Sequence, residues 1–172
     1  DTGSFVQISG MLKSVAIKIS KICNDLRLLS SGPRAGFNEI NLPPLQPGSS
    51  IMPGKVNPVM PEVVNQVAFE VIGADVTISM ASEGGQLQLN VFEPIIAFKL
   101  FNSINMMRRA FYSLGEKCIK GITANEEICM ENILNSVTLV TCLNPILGYE
   151  KSSAIAKEAL KMNKRVYDII LE

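Results

Sequence analysis

The chain has 172 residues, of which 47% are hydrophobic and 19% charged, and its 16 basic residues balance 16 acidic ones. This length suits one domain or one domain with a small appendage, and the apolar content excludes intrinsic disorder. The zero net charge offers no general positive field that would attract nucleic acid. The absence of histidine excludes a Ser-His-Asp or Cys-His catalytic site and a His-ligated metal site made by this chain alone.

The first predicted element is a helix over residues 3 to 31, where large apolar residues recur at helical spacing between basic ones. Gly32 and Pro33 end it, because proline cannot continue the ladder of backbone hydrogen bonds. The first residue is Asp1, and neither a basic segment nor an apolar leader follows it. We therefore expect the chain to be a piece of a longer protein that starts within a helix.

Residues 32–61 are rich in proline and glycine. They contain seven of the nine prolines and four of the twelve glycines. A loop of this length within a compact domain is usually functional or disordered. Apolar residues spaced along it favour an ordered, functional loop.

Two further helices are predicted over residues 62–82 and 94–120, and both are apolar on most of their faces. Such helices are buried in a large bundle or in a membrane. A membrane span needs about 20 uncharged residues, and Glu70, Asp75 and Lys99 interrupt these runs, so we expect a bundle and no membrane contact. Because three helices cannot cover this much apolar surface, we also expect contacts with other chains.

Shorter helices are predicted after Gly121, over residues 125–140, 150–162 and 164–171. No alternation typical of strands is present, so the predicted fold class is all-α. It consists of a long-helix bundle segment over residues 1–120, containing a loop at 46–58, and a small helical C-terminal domain over residues 121–172.

The four cysteines contain no CxxC pair, which excludes a zinc ribbon and a thioredoxin motif. We expect free thiols in a reducing, cytoplasmic environment.

The loop over residues 48–58 concentrates groups that bind anions. Gly48 supplies unhindered backbone N–H groups, Lys55 a positive charge, and Asn57 an amide that both donates and accepts hydrogen bonds. The spacing differs from a Walker loop by one residue, and Val56 stands where that loop needs a hydroxyl. The residue types alone are compatible with an anion-binding loop or with a plain ordered turn.

The same eleven residues, Gly-Ser-Ser-Ile-Met-Pro-Gly-Lys-Val-Asn-Pro, resemble the signature loop of the aspartase/fumarase superfamily, whose members eliminate a group from a succinyl-type substrate to give fumarate. Residues 24–28 and 31–36 resemble the segment before that loop, and residues 143–149 resemble the start of the family's small C-terminal module. The resemblance implies a homotetramer built on long helices. Its active sites combine three subunits and use a histidine absent here, so this chain alone is expected to be inactive.

The resemblance also implies the roles of four loop residues. Ser49 corresponds to the general base that removes a proton beside the substrate carboxylate. Lys55 and Asn57 correspond to residues that hold the carboxylate on which negative charge accumulates, and Ser50 helps to bind the dicarboxylate or amino-acid substrate. No cofactor and no metal ligand are implied.

Two branches of the superfamily compete with each other and with a structural alternative. Residues 61–67 and 85–94 resemble the branch that removes ammonia from L-aspartate. Fumarate hydratases more often have a Phe-Glu pair where Leu87 and Gln88 stand, and a lysine at Glu93. A helical oligomerisation scaffold that has lost the chemistry is a further alternative, which intact Ser49 and Lys55 disfavour.

Overall fold

A computed structural model describes residues 1–46, 48, 52 and 55–171 of the chain. Contacts divide the chain into two units, Asp1–Thr123 and Ala124–Glu172. The described residues are mainly helical, which confirms the all-α prediction.

Three long helices form the first unit: α1 (Gly3–Leu29), α2 (Val59–Glu83) and α3 (Glu93–Lys117). α2 starts three residues before the predicted position, because Pro61 lies in its first turn, where a missing N–H breaks no hydrogen bond. α3 ends three residues early and continues as a 3-10 turn over Ile119–Gly121.

α2 packs against both α1 and α3. The buried residues of α3 recur at alternating steps of four and three, which places them on one side of the helix; they are Ile96, Leu100, Ser103, Met107, Ala110 and Leu114. This seam faces the core clusters that α2 and α1 complete.

The buried face of α1 consists of small residues. Ser9, Ala16, Ser20 and Cys23 are buried, whereas the larger Met11 remains 70% exposed. Because interaxial distance depends on the side chains at the contact, small residues allow α1 to lie close to α2. The large apolar residues that identify α1 as a helix therefore do not all belong to this core.

Large apolar side chains also remain uncovered on α2 and α3. Phe69 and Met80 on α2 are 61% and 69% exposed, and Phe98 and Phe101 on α3 are 62% and 64% exposed. The chain by itself therefore leaves this apolar surface exposed, and it is the surface that the sequence predicts to contact other chains.

Among the residues that the structure describes, α2 is also long and apolar enough to cross a membrane. Core helices of globular proteins share these properties. α2 lies between two helices and buries the polar residues Asn65 and Asp75 against α1, which is the packing of a core helix.

A short strand pair ties the segment after α1 to the end of the unit. Strand β1 (Ile40–Asn41) pairs with β2 (Thr123–Ala124), and Asn41 Nδ2 donates to Thr123 Oγ1 at 3.2 Å. Leu42 packs against the cluster that contains Cys23 and Val64. These contacts anchor the chain before it enters the loop.

The connection between α2 and α3 is organised by Asn90. Its Nδ2 donates to the carbonyl of Ala81 at 2.9 Å, and its Oδ1 accepts from the backbone N–H of Phe92 at 2.8 Å. Gln86 and Leu89 exchange two backbone hydrogen bonds, so the residues between them form a tight turn.

The second unit contains α4 (Glu126–Asn135), a 3-10 helix over Val137–Leu143, α5 (Asn144–Leu147), α6 (Tyr149–Met162) and α7 (Val166–Leu171). The predicted helix over 125–140 is therefore wrong at its end. The chain leaves α-helical geometry at Ser136, which adopts an extended conformation and caps the 3-10 helix by accepting from the N–H of Thr138.

Replacing Ser152 with alanine should stabilise the second unit. Among the described residues, Ser152 Oγ is a buried polar atom without a hydrogen-bond partner, and the residue is 1% exposed. Burying an unpaired hydroxyl costs about 1–3 kcal/mol, so we expect Ser152→Ala to raise the free energy of unfolding by about 1 kcal/mol. Urea unfolding of the full-length protein measures this, with the partly buried neighbour Ser153→Ala as control. Unchanged or lower stability in Ser152→Ala would contradict the expectation.

Candidate functional site

The chain turns back on the end of α1 before it enters the loop. The carbonyl of Ser31 accepts from the N–H of Asn38 at 2.7 Å, and its Oγ accepts from the N–H of Phe37 at 3.1 Å. A Cβ on Gly36 would lie 2.6 Å from the backbone of Ser31, and Gly36 has a φ of +152°. Only glycine allows the backbone at position 36 to approach Ser31 this closely. The chain then continues into β1.

The base of the loop is closed by a contact between Gly48 and Lys55. A Cβ on Gly48 would overlap the carbonyl oxygen of Lys55, so the two backbones touch. The N–H of Lys55 also donates to the carbonyl of Met52 at 3.3 Å. The backbone of Lys55 is thus held from two directions.

Two of the four residues with predicted roles lie in the described part of the chain. Lys55 is exposed and Asn57 is partly buried, and both lie on the segment that leads into α2. The carbonyl of Asn57 accepts from the N–H of Val59, the first residue of that helix, at 2.9 Å. Ser49 and Ser50 lie outside the described residues.

A cavity of about 200 Å³ lies beside this segment. Val56 and Pro58 of the loop line it, together with Asn38 and Asn41 of the segment before the loop. The cavity therefore adjoins the residues by which the loop enters α2.

The electrostatic environment of Lys55 and Asn57 favours an anion. Both residues directly precede the N-terminus of α2, a helix of 25 residues. Aligned peptide dipoles place roughly half a positive charge at a helix N-terminus. This partial charge adds to that of Lys55, so a carboxylate here would be attracted by both.

Asn65 connects α2 to α1 within two turns of the loop. Its Nδ2 donates to Ser20 Oγ at 2.8 Å and to Asn24 Oδ1 at 3.1 Å, and the residue is 3% exposed. A buried amide with satisfied hydrogen bonds fixes the register of two helices, because any shift would leave its polar atoms unpaired. Nothing local in the sequence indicates this network, because Asn65 lies more than forty positions from Ser20 and Asn24.

A second buried polar group, Asp75, lies further along the same interface. Ser9 Oγ donates to Asp75 Oδ1 at 2.7 Å, and Lys13 Nζ donates to Asp75 Oδ2 at 2.6 Å. Burial raises the pKa of Asp75, but the hydrogen bonds from Lys13 and Ser9 and the charge of Lys13 outweigh it. The pKa of this carboxyl therefore lies below its ordinary value of 3.8.

Cys23 and Cys118 lie in one apolar cluster with Val64, near the start of α2. Burial, together with the neighbouring Cys118, raises the pKa of Cys23 from 9.0 to about 11, although Arg27 partly opposes the shift. Burial also raises the pKa of Cys118. Neither thiol has the character of a nucleophile.

We expect iodoacetamide to label Cys142 in the native protein while Cys23 and Cys118 remain unmodified. Cys142 is exposed, whereas the other two are buried thiols that rarely ionise. Peptide mass spectrometry after a timed reaction at mildly alkaline pH measures the difference. Denaturant should abolish it, and equal labelling in the folded state would contradict the burial.

The residues that distinguish the two enzyme branches lie far from the loop. Leu87 and Gln88 form the exposed turn after the C-terminus of α2, where Leu87 has a φ of 51°. A helix of 25 residues is about 37 Å long, and the loop precedes its N-terminus. Leu87 and Gln88 therefore cannot touch a substrate held by Lys55 of the same chain.

Within the described ranges, no three His, Cys, Asp or Glu residues lie close enough together to hold a metal ion. Among the described residues of the loop, the exposed ammonium of Lys55 and the amide of Asn57 are groups that a ligand could contact.

Comparison with known proteins gives matches across the chain. A family model described as "Lyase" matches residues 1–73, and one described as "Fumarase C C-terminus" matches residues 139–172. An aspartate ammonia-lyase from Helicobacter pylori is 67% identical over 171 residues, which are 99% of this chain and 36% of that protein. The chain thus spans little more than a third of this relative.

Two crystal structures share the fold. A fumarate lyase:delta crystallin from Brucella melitensis is 54% identical, with a TM-score of 0.92, over 99% of this chain and 37% of that chain. The class II fumarase from Schistosoma mansoni is 37% identical, with a TM-score of 0.91, over 98% of this chain and 35% of that chain. The signature loop, the helical fold and these matches together establish that the chain belongs to the aspartase/fumarase superfamily.

Proposed function

We propose that the full-length protein is an aspartate ammonia-lyase, which converts L-aspartate to fumarate and ammonia. The observation that carries this proposal is the 67% identity, over 99% of the chain, to an enzyme of that name. The class II fumarase is only 37% identical over a similar span. The presence of Gln at position 88 and Glu at position 93 also favours the ammonia-lyase branch over the fumarate hydratases.

In the proposed chemistry, the loop residues act directly on the substrate. Ser49 takes the proton from the carbon beside the carboxylate, the C–N bond then breaks with loss of ammonia, and a C=C bond forms. The intermediate carries extra negative charge on the carboxylate. Lys55, Asn57 and the positive end of α2 stabilise that charge where it develops.

A serine hydroxyl is a weak base, so its surroundings must favour the alkoxide. Each unit by which its pKa falls requires about 1.4 kcal/mol of preferential stabilisation of the charged form. The charge of Lys55 and backbone N–H groups of the loop are the groups we propose for this task, in a site that excludes water.

We further propose that the protein is a cytoplasmic homotetramer, in which residues 1–120 belong to a central helical-bundle domain and residues 121–172 form a small C-terminal domain. Exposed Phe69, Phe98 and Phe101 support burial of α2 and α3 by other subunits. Because residues from other subunits complete the proposed site, the 172-residue chain alone should release no measurable fumarate.

An absorbance assay for fumarate tests the proposal. The full-length protein is incubated separately with L-aspartate and with L-malate. Fumarate from aspartate alone supports an ammonia-lyase, whereas fumarate from malate would indicate a fumarate hydratase. No fumarate from either substrate, in a sample that is folded and oligomeric, would contradict both activities and favour the structural scaffold.

A further inference from the structure

The contact between Gly48 and Lys55 involves backbone atoms. A Cβ at position 48 would overlap the carbonyl oxygen of Lys55, and the carbonyl carbon and backbone nitrogen of Lys55 would lie 3.2 Å and 3.5 Å away. Real Cβ contacts are essentially never shorter than 3.0 Å. Since backbone atoms cannot rotate away as a side chain can, any larger residue at position 48 must displace Lys55.

Gly36 also lies against backbone atoms, those of Ser31, whereas several other glycines face side chains or open space. A Cβ on Gly84 would meet the ring of Phe92, and a Cβ on Gly121 would meet the side chain of Pro43. By contrast, a Cβ on Gly115 would meet no atom within 4 Å. A glycine-to-alanine change therefore creates a clash with backbone at position 48 and creates none at position 115.

Displacement of Lys55 would alter the positive charge that the loop presents. The N–H of Lys55 also donates a hydrogen bond of 3.3 Å to the carbonyl of Met52, whereas the Lys55 side chain is exposed. An exposed, flexible side chain depends on its backbone for its position. Gly48 therefore controls where the ammonium can reach.

We propose that Gly48 is a positioning residue, which holds the backbone of Lys55 where its ammonium binds a carboxylate of the substrate. This inference rests on the proposed function, because that function supplies the dicarboxylate. Gly48 acts through Lys55 and does not touch the substrate.

The test measures succinate binding and aspartate turnover by the full-length protein. Succinate is a dicarboxylate without a leaving group, so calorimetry reports its binding without catalysis. Gly48→Ala should weaken succinate binding about tenfold or more, as loss of one well-placed charged hydrogen bond would. The KM for aspartate should rise with it, and kcat should fall less.

A double-mutant cycle separates positioning from general structural damage. If Gly48 acts through Lys55, then Gly48→Ala should have no further effect on succinate binding in a Lys55→Ala background. Gly115→Ala is the matched control and should bind succinate like the unmodified protein. Circular dichroism and size-exclusion chromatography verify that each variant is folded and assembled.

Unchanged succinate binding in Gly48→Ala, or full additivity with Lys55→Ala, would overturn the inference. Absence of succinate binding by the unmodified protein would overturn it too, because Lys55 would then hold no dicarboxylate. The proposed function is decided separately, by whether the unmodified protein releases fumarate from aspartate. An active enzyme whose Gly48→Ala variant is unaltered would therefore reject the inference and leave the function intact.

Discussion

Replacing Ser49 with alanine should lower kcat for fumarate release from L-aspartate by about 10²- to 10⁴-fold in the full-length protein, the usual contribution of a positioned general base. Alanine cannot accept the proton from carbon, whereas the groups that bind the carboxylates remain. Succinate affinity should therefore change little, and the loss should lie in kcat and not in KM. Absorbance of fumarate and calorimetry with succinate measure the two quantities.

The control is Ser4→Ala, which removes an exposed hydroxyl from the first turns of α1. It should retain the activity of the unmodified protein. A Ser49→Ala variant with kcat within about twofold of the unmodified protein would contradict the role of Ser49, because removing a general base costs at least a hundredfold.

Replacing Asp75 with alanine should lower the free energy of unfolding by about 2–4 kcal/mol at neutral pH. The change leaves the buried hydroxyl of Ser9 without its acceptor and removes the charged partner of Lys13. Lys13 is 41% exposed and can turn to water, which limits the cost. Urea unfolding of the full-length protein measures the loss.

The matched control is Asp25→Ala, which breaks an exposed Lys–Asp pair four residues apart on α1. Its effect should be about 0.3–0.5 kcal/mol, because water screens surface pairs. An equally small effect for Asp75→Ala would show that the buried pair contributes no more than a surface pair.

The stability that Asp75 contributes should also depend on pH. Its pKa in the folded state lies below the ordinary 3.8, so the folded protein binds this proton less readily than the unfolded chain. The contribution is complete above the unfolded pKa and is lost as pH falls below about 4, through the folded pKa. The difference between the unmodified protein and Asp75→Ala should therefore shrink with acidification, and a constant difference would contradict the assigned ion pair.

The loop illustrates what could be predicted without a structure. Residues 48–58 are contiguous, so their resemblance to a signature sequence needs no knowledge of folding, and the family followed from them. Long helices followed for a similar reason, since propensity and spacing are local properties of the chain. Helix ends were less accurate, because capping and 3-10 geometry shift them by a few residues.

The polar interface between α1 and α2 could not be predicted in the same way. Ser9 and Lys13 each lie more than sixty positions from Asp75, and nothing local indicates that they meet it. In the sequence, Asp75 is an interruption of an apolar run, whereas in the structure it anchors the helix pair.

The amino-acid sequence alone determined the helical class, the signature loop and the excess of apolar surface, since each depends on residues close together in the chain. The tertiary structure decided that small residues of α1 face α2 and that Asp75 and Asn65 are paired inside. Each of these depends on how closely two separate segments approach. That distance is set by packing of the whole unit and not by local propensity.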